Sequence, residues 1–159
     1  MALEPFQTVV EHYGGDVWRF CASQVGVARA DDCFQESMLA ALEAYPRLRN
    51  PGAVRSWLLR IAARKAIDAH RATARDPVPH LDIDPGTSEP PEPSDEDLLR
   101  MVRRLPDKQR LAVSYRFVAD LAYREIGALM DTSEAAARRN VHEGLKTLRR
   151  RLSPTKRPP

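Results

Sequence analysis

Aromatic residues are scarce, at 6% of 159 residues, and Val, Ile and Thr are thinly spread among Ala, Leu, Arg and Glu. This shortage of strand formers argues against a sandwich or barrel and predicts an all-α chain. Long apolar runs are absent too. No stretch approaches the roughly 18 residues of a spanning helix, and the N-terminal MALEPFQTVVEHYGG has no basic stretch followed by an apolar core. The expectation is a cytoplasmic protein with no membrane insertion. Cysteine is limited to Cys21 and Cys33, which fall inside helical patterns and form no CxxC. Buried reduced thiols are the plainer reading, and the spacing lends no support to a redox pair or to a metal site with His12. The four histidines, at 12, 70, 80 and 142, are scattered. With no Ser/His/Asp set and no phosphate-cradling glycine loop, no cofactor, metal or catalytic residue is implied, and an enzyme is the least supported class.

Charge is unevenly distributed. Residues 1–75 carry 10 Lys and Arg against 8 Asp and Glu, residues 76–95 carry none against 6, and residues 96–159 carry 15 against 8. The small net charge of +3 conceals a basic C-terminal end, which points to a nucleic-acid partner. The acidic stretch DPVPHLDIDPGTSEPPEPSD, Asp76–Asp95, also holds 6 prolines. Proline stops helices and like charges repel, so 76–95 is expected to be an extended linker. Its 20 residues reach roughly 60 Å at about 3.1 Å each, enough for the modules on either side to sit on separated surfaces. A second option is that it folds back over the basic modules and competes with DNA.

Apolar spacing predicts two small helical domains. In residues 1–75, a first helix carries Phe6, Val9, Val10, Tyr13, Val17, Phe20 and Cys21, with a break at Gly14 and Gly15 one option. A second is expected to start near Asp31 and Asp32, with Phe34, Met38, Leu42 and Tyr45 along it, before Pro46 stops it. After the polar loop RLRNPGAVRS, a third has Val54, Leu58 and Ile61 on one side. Arg60, Arg64, Arg71 and Arg75 lie within about 60° of one another on another face, with Trp57 at the border. In residues 96–153, Leu98–Arg104 precede a helix from about Pro106 to Val118. A short helix with Leu121, Ile126 and Leu129 inward, a turn at Met130–Thr132 and a long basic helix capped by Ser133 complete a helix-turn-helix. A tail at 154–159 is expected to be disordered.

On a helical wheel the long helix divides in two. Ala137, Val141, Gly144, Leu145, Leu148 and Leu152 form a stripe within about 80°, which packs. Arg138, Arg139, His142, Lys146, Arg149 and Arg150 lie at about 100–220°, with Ala135 at the N-terminal end of that face. Such a face is often only solvated. The preceding short helix, turn and cap favour DNA binding, in which the first residues of the helix meet base edges and later cations meet phosphates. A small Ala135 permits close approach, and Arg138 and Arg139 can make bidentate contacts to guanine.

Two blocks resemble a known family. ARADDCFQESMLAALEAYPRLRNPGAVRSWLLRIAARKAIDAHR is similar to region 2 of extracytoplasmic-function (ECF) sigma factors, and LRMVRRLPDKQRLAVSYRFVADLAYREIGALMDTSEAAARRNVHEGLKTLRRRL to their region 4. The carrying signals are D-D-x-x-Q-E at Asp31, Asp32, Gln35 and Glu36, S-W-L-x-x-I-A at Ser56–Ala62, I-D-x-x-R at Ile67–Arg71, and L-P-x-x-Q-R at Leu105–Arg110.

The resemblance implies a three-to-four-helix bundle for region 2 and a helix-turn-helix for region 4. It implies a subunit that binds RNA polymerase core and directs promoter-specific initiation, with Asp32, Gln35, Glu36 and Met38 facing the clamp helices of the largest subunit. Arg47, Arg49, Asn50, Arg55, Trp57, Arg60 and Arg64 would meet the minus-ten element, whose opening is offset by binding of the single strand. Ala135, Ala136, Arg138, Arg139, His142 and Lys146 would serve the minus-thirty-five element, while the other side of region 4 meets the flap of the second-largest subunit. Family members are often held by an anti-sigma factor. Four positions depart from the family pattern: Arg64 for the usual Asn, Ala122 for Ser or Thr, Asp131 for the turn glycine, and Asn140 for a frequent Arg. The rival readings are a helix-turn-helix regulator, which leaves the first 75 residues unexplained, and a sigma-like adaptor that does not itself direct initiation.

Overall fold

The structure is a computed structural model that describes residues 2–75 and 94–152, and among them all regular structure is helical, as composition predicts. The expected linker, apart from Ser94 and Asp95, lies outside the described residues, as do the tail and the side chain of Arg75.

Helix α1 (Phe6–Val25) runs unbroken through Gly14 and Gly15. Buried residues on both sides of the glycines, Val9 before and Val17, Phe20 and Cys21 after, hold it against the core, so packing overrides the local weakness. Gly26 alone joins α1 to α2 (Val27–Ala44), at φ 88°. A side chain there would be strained by that backbone, and the flexible end of Arg103 would have to shift to admit it. Helix α2 thus starts four residues earlier than the acids suggest. Asp31 and Asp32 sit in its second turn, where Asp31 accepts a 2.7 Å hydrogen bond from the Trp18 indole.

The buried stripe of α2 is made of small residues, Ala30, Cys33, Ser37 and Ala41, which lets α2 lie close to its neighbours. Leu42, expected inside, is 51% exposed. Two short 3₁₀ turns, Tyr45–Arg47 and Pro51–Ala53, lead into α3 (Val54–Arg75), with Asn50 accepting from the Gly52 amide at 3.1 Å. Cys21 and Cys33 are both buried. Their mutual hydrogen bond, with burial, pushes the Cys21 thiol up, as befits an unreactive packed residue.

The second half opens on a capping box absent from the sequence reading: Ser94 Oγ accepts from the Asp97 amide at 3.2 Å, and Asp97 accepts from the Ser94 amide at 3.2 Å. The Ser94 hydroxyl, which donates to Asp97 Oδ2 at 2.8 Å, and after it the Ser94 amide hold the Asp97 carboxyl below its ordinary range. Helix α4 (Asp95–Arg103) follows, then α5 (Asp107–Val113). The helix expected to reach Val118 changes geometry at Ser114: Ser114–Val118 widens into a π turn, closed by the Ala119 amide on the Ser114 carbonyl at 3.0 Å.

Helices α6 (Tyr123–Leu129) and α7 (Glu134–Leu152) form the helix-turn-helix. Asp131 takes φ 53° in the turn, a conformation that Asp tolerates better than most residues. A side chain at Gly127 would meet the Thr132 carbonyl oxygen at 2.9 Å, so the turn closes only over glycine. Ser133 caps α7 by accepting from the Ala136 amide at 3.0 Å. At the start of α6 the box is half made: Glu125 accepts from the Ala122 amide at 3.0 Å, but alanine has no oxygen to return the bond.

The two halves share a core. Buried Val17, Phe20, Leu58 and Ala62 from the first and Tyr115, Leu121, Ile126 and Val141 from the second belong to one apolar cluster. The rings of Phe20 and Tyr115 stack at 4.9 Å between centroids and 13° between planes. Beside them the Gln24 amide donates to Ser114 Oγ at 2.8 Å, and its carbonyl accepts from Arg110 Nε at 3.2 Å. The sequence reading gave each module its own core, and amphipathic patterning alone does not reveal that α1 uses a further face for the other half.

Gln24→Ala should lower stability by about 1–3 kcal/mol, since it removes the acceptor of Arg110 Nε and the donor to the buried Ser114 hydroxyl. Thermal melting should fall by about 3–10 °C, and an unchanged midpoint would show that the junction contributes nothing. Ala122→Ser should complete the second box and raise stability by about 0.5–2 kcal/mol, read from urea unfolding.

Candidate nucleic-acid interface

The C-terminal face is built as the wheel predicts except at its last stripe residue, Leu152, which is 42% exposed where the helix runs out beyond its packing partners. Ala137, Val141, Gly144 and Leu148 are buried, so α7 is fixed on one side, and Ala135, Arg138, Arg139, His142 and Lys146 are exposed on the other. Ala135, Arg138, Arg139 and His142 border one open concavity of about 570 Å³, with Glu134 and Glu143 at its edges. Ala136 is half-buried, and its amide serves the Ser133 cap, so it is the least available of the six. Arg138 is held on two sides: Nη2 lies 3.3 Å from Glu134 Oε1, and its guanidinium carbon sits 4.8 Å from the centroid of the Tyr123 ring. Asn140, in place of the family's frequent Arg, is half-buried.

The N-terminal candidates form a second concavity of about 390 Å³, where Arg49, Asn50, Trp57 and Arg60 face Glu125 and Ala128 of α6. Trp57 is half-buried, its ring 6.3 Å from that of Tyr45, so one edge packs and another stays open. Arg60 donates to the Ala128 carbonyl at 3.2 Å, and Arg55 donates to the Ala119 carbonyl while lying 3.5 Å from Asp16. Arg47 and Arg64 are exposed but do not line this concavity. The structure thus gathers four of the seven residues, turns Arg55 toward the other half, and leaves two apart.

On α2, Asp32, Gln35 and Glu36 are exposed, while Met38 is half-buried and packs against the core. What the sequence reading missed lies beside them: Leu39 is 66% exposed, and with Leu42, Glu36, Glu43 and Lys65 it borders a concavity of about 480 Å³. The signal was available as Glu36, Leu39 and Glu43 at three- and four-residue steps. It was masked because a leucine near the helix middle is ordinarily assigned to the core.

Among the described residues no group of three or more His, Cys, Asp or Glu could hold a metal ion, and no helix is long and apolar enough to cross a membrane.

The second of the two helical modules ends in a helix-turn-helix with a basic exposed face, the architecture of a DNA-binding protein. Residues 9–76 match the sigma-70 region 2 family model, and residues 95–148 match that of sigma-70 region 4. The ECF RNA polymerase sigma factor SigD of Mycobacterium tuberculosis is 33% identical over 148 residues, spanning 84% of this chain and 70% of that one. The RNA polymerase sigma factor SigV of Bacillus subtilis is 28% identical over 149 residues, spanning 92% and 90%. The chain belongs to the ECF RNA polymerase sigma factor family. Its relatives are sigma factors rather than enzymes. The fold is also that of the sigma factor RpoE in its co-crystal structure with the anti-sigma factor NepR from Bartonella quintana, at a TM-score of 0.75 and 17% identity over 96% of this chain and 98% of that one. CnrH, solved in complex with the cytosolic domain of CnrY, superposes with a TM-score of 0.67 at 18% identity, over 92% and 86%.

Next to the interface, His70 Nε2 donates to the Gln24 carbonyl at 2.7 Å. Burial and, after it, the Arg110 charge hold the imidazole below its ordinary value of 6.5, against smaller opposing effects of that hydrogen bond and Asp107. The folded state therefore binds the His70 proton more weakly than the unfolded chain does. Stability should rise with pH until the unfolded imidazole is neutral, and fall as pH drops below about 6.5. Urea unfolding between pH 7.5 and 5 should show this loss in the native chain and a flatter profile in His70→Asn. Identical slopes would remove His70 as the source.

Proposed function

We propose that this chain works as a sigma factor that binds RNA polymerase core and directs promoter-specific initiation through two DNA-reading surfaces. The observation that carries the reading is the presence of regions 2 and 4 in order in one chain. A helix-turn-helix regulator needs only the second.

In this reading α7 enters the major groove of the minus-thirty-five element, with Arg138 and Arg139 at base edges, Ala135 allowing close approach, and His142 and Lys146 toward phosphates. The opposite side of region 4 faces the polymerase flap. The concavity of Arg49, Asn50, Trp57 and Arg60 takes the opened minus-ten strand, a ring beside guanidinium groups being the pairing that stacks and neutralises single-stranded DNA. Arg47 and Arg64, exposed outside the concavity, add positive charge to the same module, and Arg55, now held by Ala119 and Asp16, would join them once released. Asp32, Gln35 and Glu36, extended by Leu39 and Leu42, form the core-polymerase surface, an acidic rim around an apolar centre. Partners of this kind place the protein in the cytoplasm. An anti-sigma factor completes the set, since the Bartonella chain that shares the fold is bound to one.

The hydrogen bond from Arg60 to Ala128 closes α6 over the minus-ten surface. In this reading α6 must withdraw before Arg60 and Trp57 meet DNA, so the described arrangement is that of the chain off the promoter.

Purified protein plus bacterial core polymerase, and neither alone, should start transcripts from a subset of fragments of the source genome. Promoter binding by the mixture with no promoter-dependent transcript would favour the regulator. On a preferred fragment, Arg138→Ala and Arg139→Ala should each weaken binding by about 1–3 kcal/mol, and by much less on unrelated DNA. Equal losses on both would reduce them to phosphate contacts.

A further inference from the structure

The helix-turn-helix contains one aromatic side chain that the proposed readout leaves without a task. Tyr123 is the first residue of α6, half-buried at the edge of the reading face. Two guanidinium groups lie against its ring: that of Arg116, 4.7 Å from the centroid, and that of Arg138, 4.8 Å away. They come from two separate elements, Arg116 from the π turn Ser114–Val118 that precedes the motif and Arg138 from the second turn of α7. Arg116 is itself tethered, since Nη1 donates to the Leu121 carbonyl at 3.0 Å. Arg138 carries a second restraint from Glu134, one turn earlier on α7.

An exposed arginine on a helix ordinarily samples many rotamers, and ordering it for a planar bidentate contact to a base has an entropic cost. A ring face beside the guanidinium narrows that sampling while leaving the N–H edges open to a base. We propose that Tyr123 is a positioning residue for minus-thirty-five recognition: its ring holds the Arg138 guanidinium in the plane from which it meets a base edge, and Arg116 braces the ring. The proposal rests on the reading of Arg138 as a base contact.

Tyr123 thereby touches no base and still affects which base is preferred. The aromatic face carries the effect and the hydroxyl does not, so phenylalanine preserves it and an aliphatic residue abolishes it. A cation–π contact at an exposed site corresponds to about a two- to fivefold change in affinity.

The test uses the full chain bound to core polymerase and duplexes of a transcription-competent promoter, in which each upstream base pair is changed singly. Tyr123→Phe should discriminate among these duplexes as the native chain does. Tyr123→Leu should lose about two- to fivefold discrimination at the base pair where Arg138→Ala loses it, and should add nothing to Arg138→Ala in the double variant. Where melting shows the leucine variant unfolded, Tyr123→Met takes its place. A loss spread evenly over all duplexes, or one that adds in full to that of Arg138→Ala, overturns the proposal. If Arg138→Ala shifts a base preference and Tyr123→Leu does not, the positioning role alone falls. If Arg138→Ala shifts none, the base-contact reading falls and the positioning role with it.

Discussion

A buried guanidinium organises this molecule. Arg110 is only 8% exposed, and a cation taken out of water is tolerated only if its donors are answered. Asp107 accepts at 2.9 Å, the Arg103 and Leu105 carbonyls at 3.3 and 3.4 Å, and Gln24 at 3.2 Å. Three of these acceptors lie within seven residues of Arg110 and fix the turn between α4 and α5. The fourth comes from α1, in the other half of the chain. The polar geometry that sets the entry of α5 therefore also sets where region 4 sits on region 2.

Several features follow from that placement. The Phe20–Tyr115 stack lies beside the polar node, and the aromatic contact and the hydrogen bonds reinforce one another. Ser114 gives its side chain to Gln24 and its carbonyl to the π turn, so the widening of the helix coincides with the junction. His70 is drawn against Gln24 and Arg110, and there burial first and the Arg110 charge second loosen its proton, against the opposing hydrogen bond to Gln24. Further along the interface, α6 comes to rest on the Trp57 concavity through Arg60. The surface proposed to take melted DNA is thus covered by the module proposed to bind duplex DNA upstream.

Much of this was legible in the residues. Helix class, the Ser133 cap, the left-handed Asp131 turn and the packed and exposed faces of α7 follow from local rules, and the structure has them. The errors share one cause. Where a helix is packed by small residues, as α2 is by Ala30, Cys33, Ser37 and Ala41, the large apolar side chains are free to face outward. Leu42, which looks like core in the sequence, then forms surface in the fold together with Leu39. The start of α2 at Val27 was hidden for a related reason: Gly26 is favoured by a positive φ and lies against the flexible end of Arg103, a residue 77 positions away, and periodicity carries no information about such contacts. The linkage through Gln24 and Arg110 is equally long-range.

The departures from the family pattern divide by the physics that tolerates them. Asp131 accepts the turn conformation at modest strain, and Ala122 gives up one capping bond while Glu125 keeps the other. Neither lies among the residues proposed to meet DNA. Arg64 and Asn140 are different, because they lie on the helices proposed to read the promoter. Arg64 is exposed on α3 but away from the Trp57 concavity, and Asn140 is half-buried beside Arg139. A guanidinium gained at the first and lost at the second shifts positive charge from the upstream surface toward the downstream one. If contact with phosphate scales with that charge, the chain should lean more on its minus-ten contacts than the family pattern implies, and on Arg138 and Arg139 for what selectivity it keeps upstream.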